Sequence, residues 1–342
     1  MPMGILSSTK DIFLIKHREE LLENTSTHVT ILPDLLTNAT CLSDHTNIHE
    51  QICHFVMIPV LFFIFLTNIS ILVYSVKTDR FRQPGHWFIA SLYVSDLFVG
   101  VTSVGTAVLD SDEPNLEICL VRLGLFLSSI SATNIFLLLI ASDRFLAITR
   151  ALTYHRIVTH RLAAVAITSA SLVSLLVGFA PLFGWNTREY GFHCSFPYVL
   201  DSGYIIFMLT CSLLPIGIIF VIYFYLYSKA RLHIKHIEAI SSLHHQRVGS
   251  GQWMTSKEWK CIRQLMIVVG CLLVTWSPFM VATLLDASPL DTPCWLKETI
   301  GTHFLVLGMT NCVLNPLIYT AATRDFRRSF GHFVKHGCGR VT

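Results

Sequence analysis

Charge is what this sequence has least of. Asp, Glu, Lys and Arg make up 14% of 342 residues, against 52% hydrophobic ones, where a soluble domain carries about 25% charged residues. With a mean hydropathy of +0.56 over its whole length, the chain reads as a membrane protein with room for about seven spans of ~20 residues. No length is left for a large soluble domain beside them. The net charge is only +3, which gives nucleic acid binding no electrostatic basis. Repeats, coiled-coil heptads and low-complexity tracts are missing too. The apolar stretch Ile12–Ile15 is too short for a signal-peptide core, so the first span is expected to act as its own uncleaved targeting signal.

What is present is a series of seven apolar segments, at about 55–76, 87–109, 118–147, 162–183, 202–227, 261–285 and 299–321. In hydrocarbon every backbone polar group must be satisfied within its own segment, and these are far longer than barrel strands, so all seven are expected to be helices. Lysine and arginine orient them. The stretches after the first, third and fifth spans and the C-terminal tail hold eighteen of the 25 basic residues, among them Lys77, Arg80, Arg82, Arg150, Arg156, Arg161 and Arg324. These faces are expected to be cytoplasmic and the N-terminus extracellular, at the plasma membrane. Glycosylation sequons at Asn24 and Asn38 fall on the outer side, while the same pattern at Asn68 lies inside a span and out of reach. The expected organisation is a glycosylated tail (1–54), a seven-span domain (55–321) and a cytoplasmic tail with a short amphipathic eighth helix (322–342).

Of ten cysteines, Cys211, Cys261, Cys271 and Cys312 lie in or near spans and read as small core residues. Cys119 opens the third span on the outside and Cys194 lies in the outer loop between the fourth and fifth, in an oxidising compartment. A bridge between them would pin that loop over the bundle. The pairing of Cys41, Cys53 and Cys294 stays open.

Charges and prolines inside spans are costly and mark sites. Asp96, in the middle of the second span, is expected to face inward among Asn68, Thr133, Asn311 and Asn315. Oxygen ligands from several helices suit a hard cation, so Asp96, Thr133, Asn311 and Asn315 are candidates for a sodium site; the alternative is a polar cluster that only ties helices together. Asp143-Arg144-Phe145 closes the third span at the water boundary. Pro215, Pro278 and Pro316 interrupt the fifth, sixth and seventh spans and point to a bundle with hinges.

Asn68, Asp96, Asp143-Arg144-Phe145, Trp276-Ser-Pro278-Phe279 and Asn315-Pro-Leu-Ile-Tyr319, in order and with Cys119 and Cys194, resemble the rhodopsin-like (class A) G-protein-coupled receptors over about residues 55–333. The resemblance implies an all-α seven-helix receptor without enzymatic activity or cofactor, working with a heterotrimeric G protein. It implies a switch made of Asp143, Arg144, Tyr223, Asn315, Pro316 and Tyr319. Within the family, Phe126 stands where amine receptors have aspartate and Met309 where light receptors have lysine. Val177–Asn186 resembles adenosine receptors, but Pro197 and Thr283 replace their two polar anchors. Cys119-Leu-Val-Arg122, Ser128-Ser129, His193-Cys-Ser-Phe196 and Gly308–Pro316 are similar to receptors for lipid amides, with Gly301 and Leu305 as departures. Three further departures concern switching: Ser171 where a tryptophan is usual, Asn134 for an aliphatic residue, and Leu272 for phenylalanine.

The residues themselves agree with an amphiphilic ligand. Arg122 at the rim above Leu123, Phe126, Leu127 and Ile130, with Phe196, Trp276 and Phe279 opposite, makes one cation over an apolar aromatic shaft. The alternative for Arg122 is a side chain that only snorkels. The expected function is a receptor for a lipid-like agonist, a lipid amide or lysolipid, acting through the adenylyl cyclase stimulatory pathway; a nucleoside receptor or a small-solute transporter are the alternatives. Transporters are usually built from repeats, which seven dissimilar spans do not offer. An intramembrane enzyme would need a second carboxylate facing Asp96 or a histidine cluster, and most of the histidines lie in polar loops.

Overall fold

The computed structural model describes residues 46–108, 115–186, 194, 196–243, 256–288 and 292–322. The chain divides into two units, residues 1–50 and 51–342; of the first, only 46–50 are described, as the start of a helix. Asn24, Asn38, Cys41 and the tail from 323 onward, with the expected eighth helix, lie outside the described residues. So do the side chains of Cys53, Cys261, Cys294 and Tyr319.

The helices in order are α1 (Thr46–Lys77), α2 (Gly85–Val108), α3 (Leu116–Thr149), α4 (Tyr154–Ile157), α5 (His160–Phe179), α6 (Phe196–Val199), α7 (Ser202–Leu243), α8 (Ser256–Asp286), α9 (Cys294–Thr299) and α10 (Leu305–Ala322). Short 3-10 turns at Arg80–Arg82 and Ala180–Phe183 and a π-turn at Ile300–Phe304 complete the series. Among the described residues six helices are long and apolar enough to cross a membrane: α1, α2, α3, α5 with its 3-10 turn, α7 and α8. The seventh expected segment is covered by the end of α9, the π-turn and α10, a continuous helix that carries Asn311, Asn315 and Pro316. The only β pairing among the described residues is a single bridge, Asn186 to Leu200.

Over their described residues all seven expected segments are helical, and several of the helices outrun them. α7 continues to Leu243 and α8 begins at Ser256, because hydropathy marks where the bilayer ends and not where the backbone stops hydrogen bonding. Starts are fixed locally. The Asn115 side chain accepts from the Glu117 and Ile118 amides, with Glu117 itself in the positive first turn of α3. Thr159 accepts from the Leu162 amide at the head of α5, and Gly184, at φ 111°, supplies the left-handed residue that ends the turn after it.

The helices show the polarity expected of a protein in lipid. Outward faces are apolar, as at Phe62, Val76, Phe98, Leu176, Leu214, Val221 and Val274, while Asn68, Asp96, Thr133, Asn134, Asn311 and Asn315 are buried inside. α3 is the central element and packs on α2, α5 and α7; α8 packs on α7 and α10, and α10 also meets α2. The α3–α5 crossing is close because both helices present glycine. A Cβ on Gly178 would overlap Ser128 Oγ and lie 2.5 Å from the Gly124 carbonyl oxygen. Small residues let backbones approach where water offers no driving force for association.

Candidate functional site

The site is arranged in three tiers along the bundle. At one end, Cys119 in the first turn of α3 is disulfide-bonded to Cys194, which ties the segment before α6 to the helix. Two residues past Cys194, Phe196 opens α6 and is buried. Its ring lies 5.5 Å from that of Phe279, and Phe279 meets Trp276 edge-on at 5.6 Å and 88°. Facing residues come from α3, where helical spacing turns Leu123, Phe126 and Leu127 inward to near-complete burial while Val121 and Leu125 point out. These six apolar side chains belong to one connected buried cluster, and Ile130 packs on its edge. Arg122 is half-buried one turn after Cys119. Thr283, one turn beyond Phe279, is buried with a hydroxyl that forms no hydrogen bond.

The second tier surrounds Asp96, whose side chain is fully buried. Thr133 Oγ1 donates to Asp96 Oδ1 at 3.1 Å and Asn315 Nδ2 donates to Asp96 Oδ2 at 3.1 Å. Ser95 Oγ lies 3.0 Å from Thr133 Oγ1, and the Cys312 thiol faces the same carboxylate. Asn68 does not reach Asp96; it donates to the Ile64 and Cys312 carbonyls, at 2.9 and 3.0 Å, and so joins α1 to α10. Asn311 is buried with neither amide atom bonded, and Asn68 Oδ1 and Asn315 Oδ1 are also unbonded. Orphaned amide oxygens around a buried carboxylate are costly unless something of opposite character sits among them.

The third tier is at the end of the bundle away from Cys119. Arg144 Nε lies 3.3 Å from Asp143 Oδ2, and Asp143 is buried while Arg144 is partly open. Tyr154 OH, from α4, donates to Asp143 Oδ1 at 2.6 Å; burial first, and then this bond, push the Tyr154 phenol above its ordinary pKa. Gly85, the first residue of α2, leaves room for the group, since a Cβ there would come 2.9 Å from Asp143 Oδ2. Tyr223 is buried on α7.

Of the expected residues, Thr133 and Asn315 are bonded to Asp96, and Phe196, Phe279 and Trp276 meet ring to ring. Asn311 is not bonded to Asp96. Ser95 and Tyr154 were not marked beforehand. Ser95 could have been noticed as the hydroxyl beside Asp96, but Tyr154 reaches Asp143 only because α4 folds back under α3, and no local signal announces that. Among the cysteines read as core residues, Cys312 is buried and Cys211 and Cys271 are half-buried, all three with free thiols.

Comparison with known proteins decides the family. The family described as "7 transmembrane receptor (rhodopsin family)" matches residues 67–319. The chain belongs to that family. As a rhodopsin-family receptor it is a multi-pass membrane protein and not an enzyme. Similar proteins include the glucose-dependent insulinotropic receptor of Rattus norvegicus, 26% identical over 78% of this chain and 58% of the relative. The cannabinoid receptor 1 of Xenopus laevis is 28% identical over 78% and 60%, and the sphingosine 1-phosphate receptor 1 of Danio rerio 26% identical over 80% and 76%. The chain therefore spans about three fifths of the length of the first two.

Proposed function

We propose that this receptor responds to a lipid-like agonist with a small oxygen-rich head and a long apolar tail, and signals through a heterotrimeric G protein of the class that stimulates adenylyl cyclase. The reading is supported by one arrangement: half-buried Arg122 lies one turn after Cys119 on α3, followed along the helix by buried Leu123, Phe126 and Leu127, and the buried rings of Phe196, Phe279 and Trp276 meet in series. Such an apolar series suits an alkyl chain, and a guanidinium suits a carbonyl, hydroxyl or phosphate oxygen. Two relatives carry amphiphiles in their names, cannabinoid and sphingosine 1-phosphate, which supports the ligand class and not an individual molecule.

In this mechanism the head docks on Arg122 and the tail runs past Phe126, Leu127 and Ile130 toward Trp276. Contact there shifts the bundle between two packings, with α8 yielding at Pro278, where the missing N–H weakens the helix. At the inner end Arg144 parts from Asp143, and Tyr223 turns inward to hold a cleft for the G protein. No covalent step is involved; the driving force is the ligand's differential affinity for the two packings.

The resting packing is read as one that binds sodium. The fit rests on the donor set: a buried carboxylate, the Thr133 hydroxyl, and unbonded amide oxygens on Asn311 and Asn315. These are hard oxygen ligands. A sodium ion there would supply the positive charge that the Asp96 carboxylate lacks. The N-terminus is placed outside the cell on the asymmetry of lysine and arginine.

The test is a cyclic-AMP and calcium assay in cells expressing the chain at a verified surface level, challenged with lipid amides, lysolipids and nucleosides. A response to one of the lipid classes with rising cyclic AMP is expected. A response to nucleosides alone, or to calcium-linked signalling alone, overturns the ligand or the pathway respectively.

A further inference from the structure

The Trp276 indole lies over Gly308 of α10. A Cβ built on Gly308 would lie 2.9 Å from Trp276 Cδ2, 2.9 Å from Cε3 and 3.0 Å from Cζ3, where ordinary contacts run 3.4–4 Å. Any larger residue at 308 must therefore move the indole by about 0.5 Å or more, unless the helix gives way.

The helix is held. The next residue, Met309, is buried, and its sulfur accepts from Ser103 Oγ of α2 at 3.6 Å. One turn inward, the Cys312 carbonyl accepts from Asn68 Nδ2 of α1 at 3.0 Å. α10 is thus pinned to two other helices within four residues of Gly308. Trp276, by contrast, sits two residues before Pro278 on α8, a segment that lacks one backbone donor. Strain introduced at 308 goes into the indole and α8. From there it passes to Phe279, edge-on to Trp276, and to Phe196, tilted at 54° against Phe279.

We propose that Gly308 is the positioning residue for Trp276: the missing side chain at 308 is the seat of the indole in the resting packing, and its size sets the balance between resting and signalling packings. The proposal rests on the reading of Trp276 as the floor of the ligand shaft. Position 308 then acts on signalling without touching the ligand. The structure with the seat filled is the one in which Arg144 still pairs with Asp143, so emptying the seat favours the signalling packing.

The test uses the full-length chain. In the purified protein labelled with 5-fluorotryptophan, the Trp276 resonance is assigned by its loss in Trp276→Phe. Gly308→Ala should move that resonance and leave those of the other five tryptophans in place. At matched surface expression Gly308→Ala should raise ligand-free cyclic AMP, through a shift of about tenfold in the two-state balance. Trp276→Phe, with a smaller ring, should remove most of that rise, so the two effects should not add. An unmoved Trp276 resonance, or additive effects of the two substitutions, overturns the proposal. Where Gly308→Ala alone fails to reach the surface, recovery by Trp276→Phe supports it and failure to recover overturns it. The resonance decides the seat even when no lipid evokes a signal, an outcome that would sink the proposed function instead.

Discussion

Substituting Gly178 by alanine is a one-methyl change with a calculable consequence. The new Cβ would overlap Ser128 Oγ and lie 2.5 Å from both the Gly124 carbonyl oxygen and the Ser128 amide nitrogen. Two of these three atoms are backbone, so no rotamer change relieves the overlap; α3 and α5 must separate by roughly 0.5–1 Å to restore contact distance. Separation loosens the neighbouring contact, where Phe179 fills the space left by Gly124, with ring carbons only 3.0 and 3.1 Å from where a Cβ would stand. It also disturbs Ser128, whose hydroxyl now donates to the Gly124 carbonyl at 2.6 Å. Overpacking costs about 1–3 kcal/mol and a weakened buried hydrogen bond about 1 kcal/mol, so about 2–4 kcal/mol in all. For a chain of this size that corresponds to a melting temperature lower by about 3–6 °C. Thermal unfolding of the purified receptor in detergent, followed with a thiol-independent dye, measures it. Gly178→Val should fail to accumulate at the cell surface. A Gly178→Ala protein that melts with the parent would refute the close crossing. Ser128→Ala restoring full stability would show that the side-chain overlap alone mattered, against the backbone argument.

Four other outcomes follow from the same geometry. Arg122→Ala should lower the potency of polar-headed lipids by roughly one to two log units, with Arg122→Lys between, since the charge remains and the planar fork is lost; unchanged potency at matched surface expression would make Arg122 a snorkelling side chain. Asp96→Asn should abolish any dependence of agonist affinity on sodium, measured by ligand competition in sodium and in N-methyl-glucamine buffers, and a retained dependence would leave the cluster purely structural. Replacing Cys119 or Cys194 by serine should cost about 2–5 kcal/mol and deplete the receptor from the surface, and surface labelling equal to the parent would count against the bond. Asn134→Leu combined with Leu272→Phe should lower ligand-free cyclic AMP, because both positions are buried and an amide there costs about 1–3 kcal/mol that an aliphatic residue does not; an unchanged baseline would remove Asn134 from the switching core.

The number of crossings, their helical character and the family were legible in the chain itself, because each rests on local chemistry. A 20-residue apolar stretch cannot leave backbone groups unpaired in lipid, whatever its neighbours do. The inward stripe Leu123, Phe126, Leu127 followed from helical spacing alone, and the same spacing placed Val121 and Leu125 outside. Tertiary structure decided what meets what. Asp96 was marked by its cost in a membrane, yet that Thr133 and Asn315 bind it, while Asn68 instead joins α1 to the Cys312 carbonyl, depends on the rotation of four helices about their axes. Tyr154 found Asp143 through a fold-back that hydropathy does not register. Gly85, Gly178 and Gly308 are indistinguishable in sequence from any other glycine. Only the packed bundle shows that one makes room for Asp143, one for Ser128 and one for Trp276, because a glycine's meaning lies in the atoms that a side chain would have displaced.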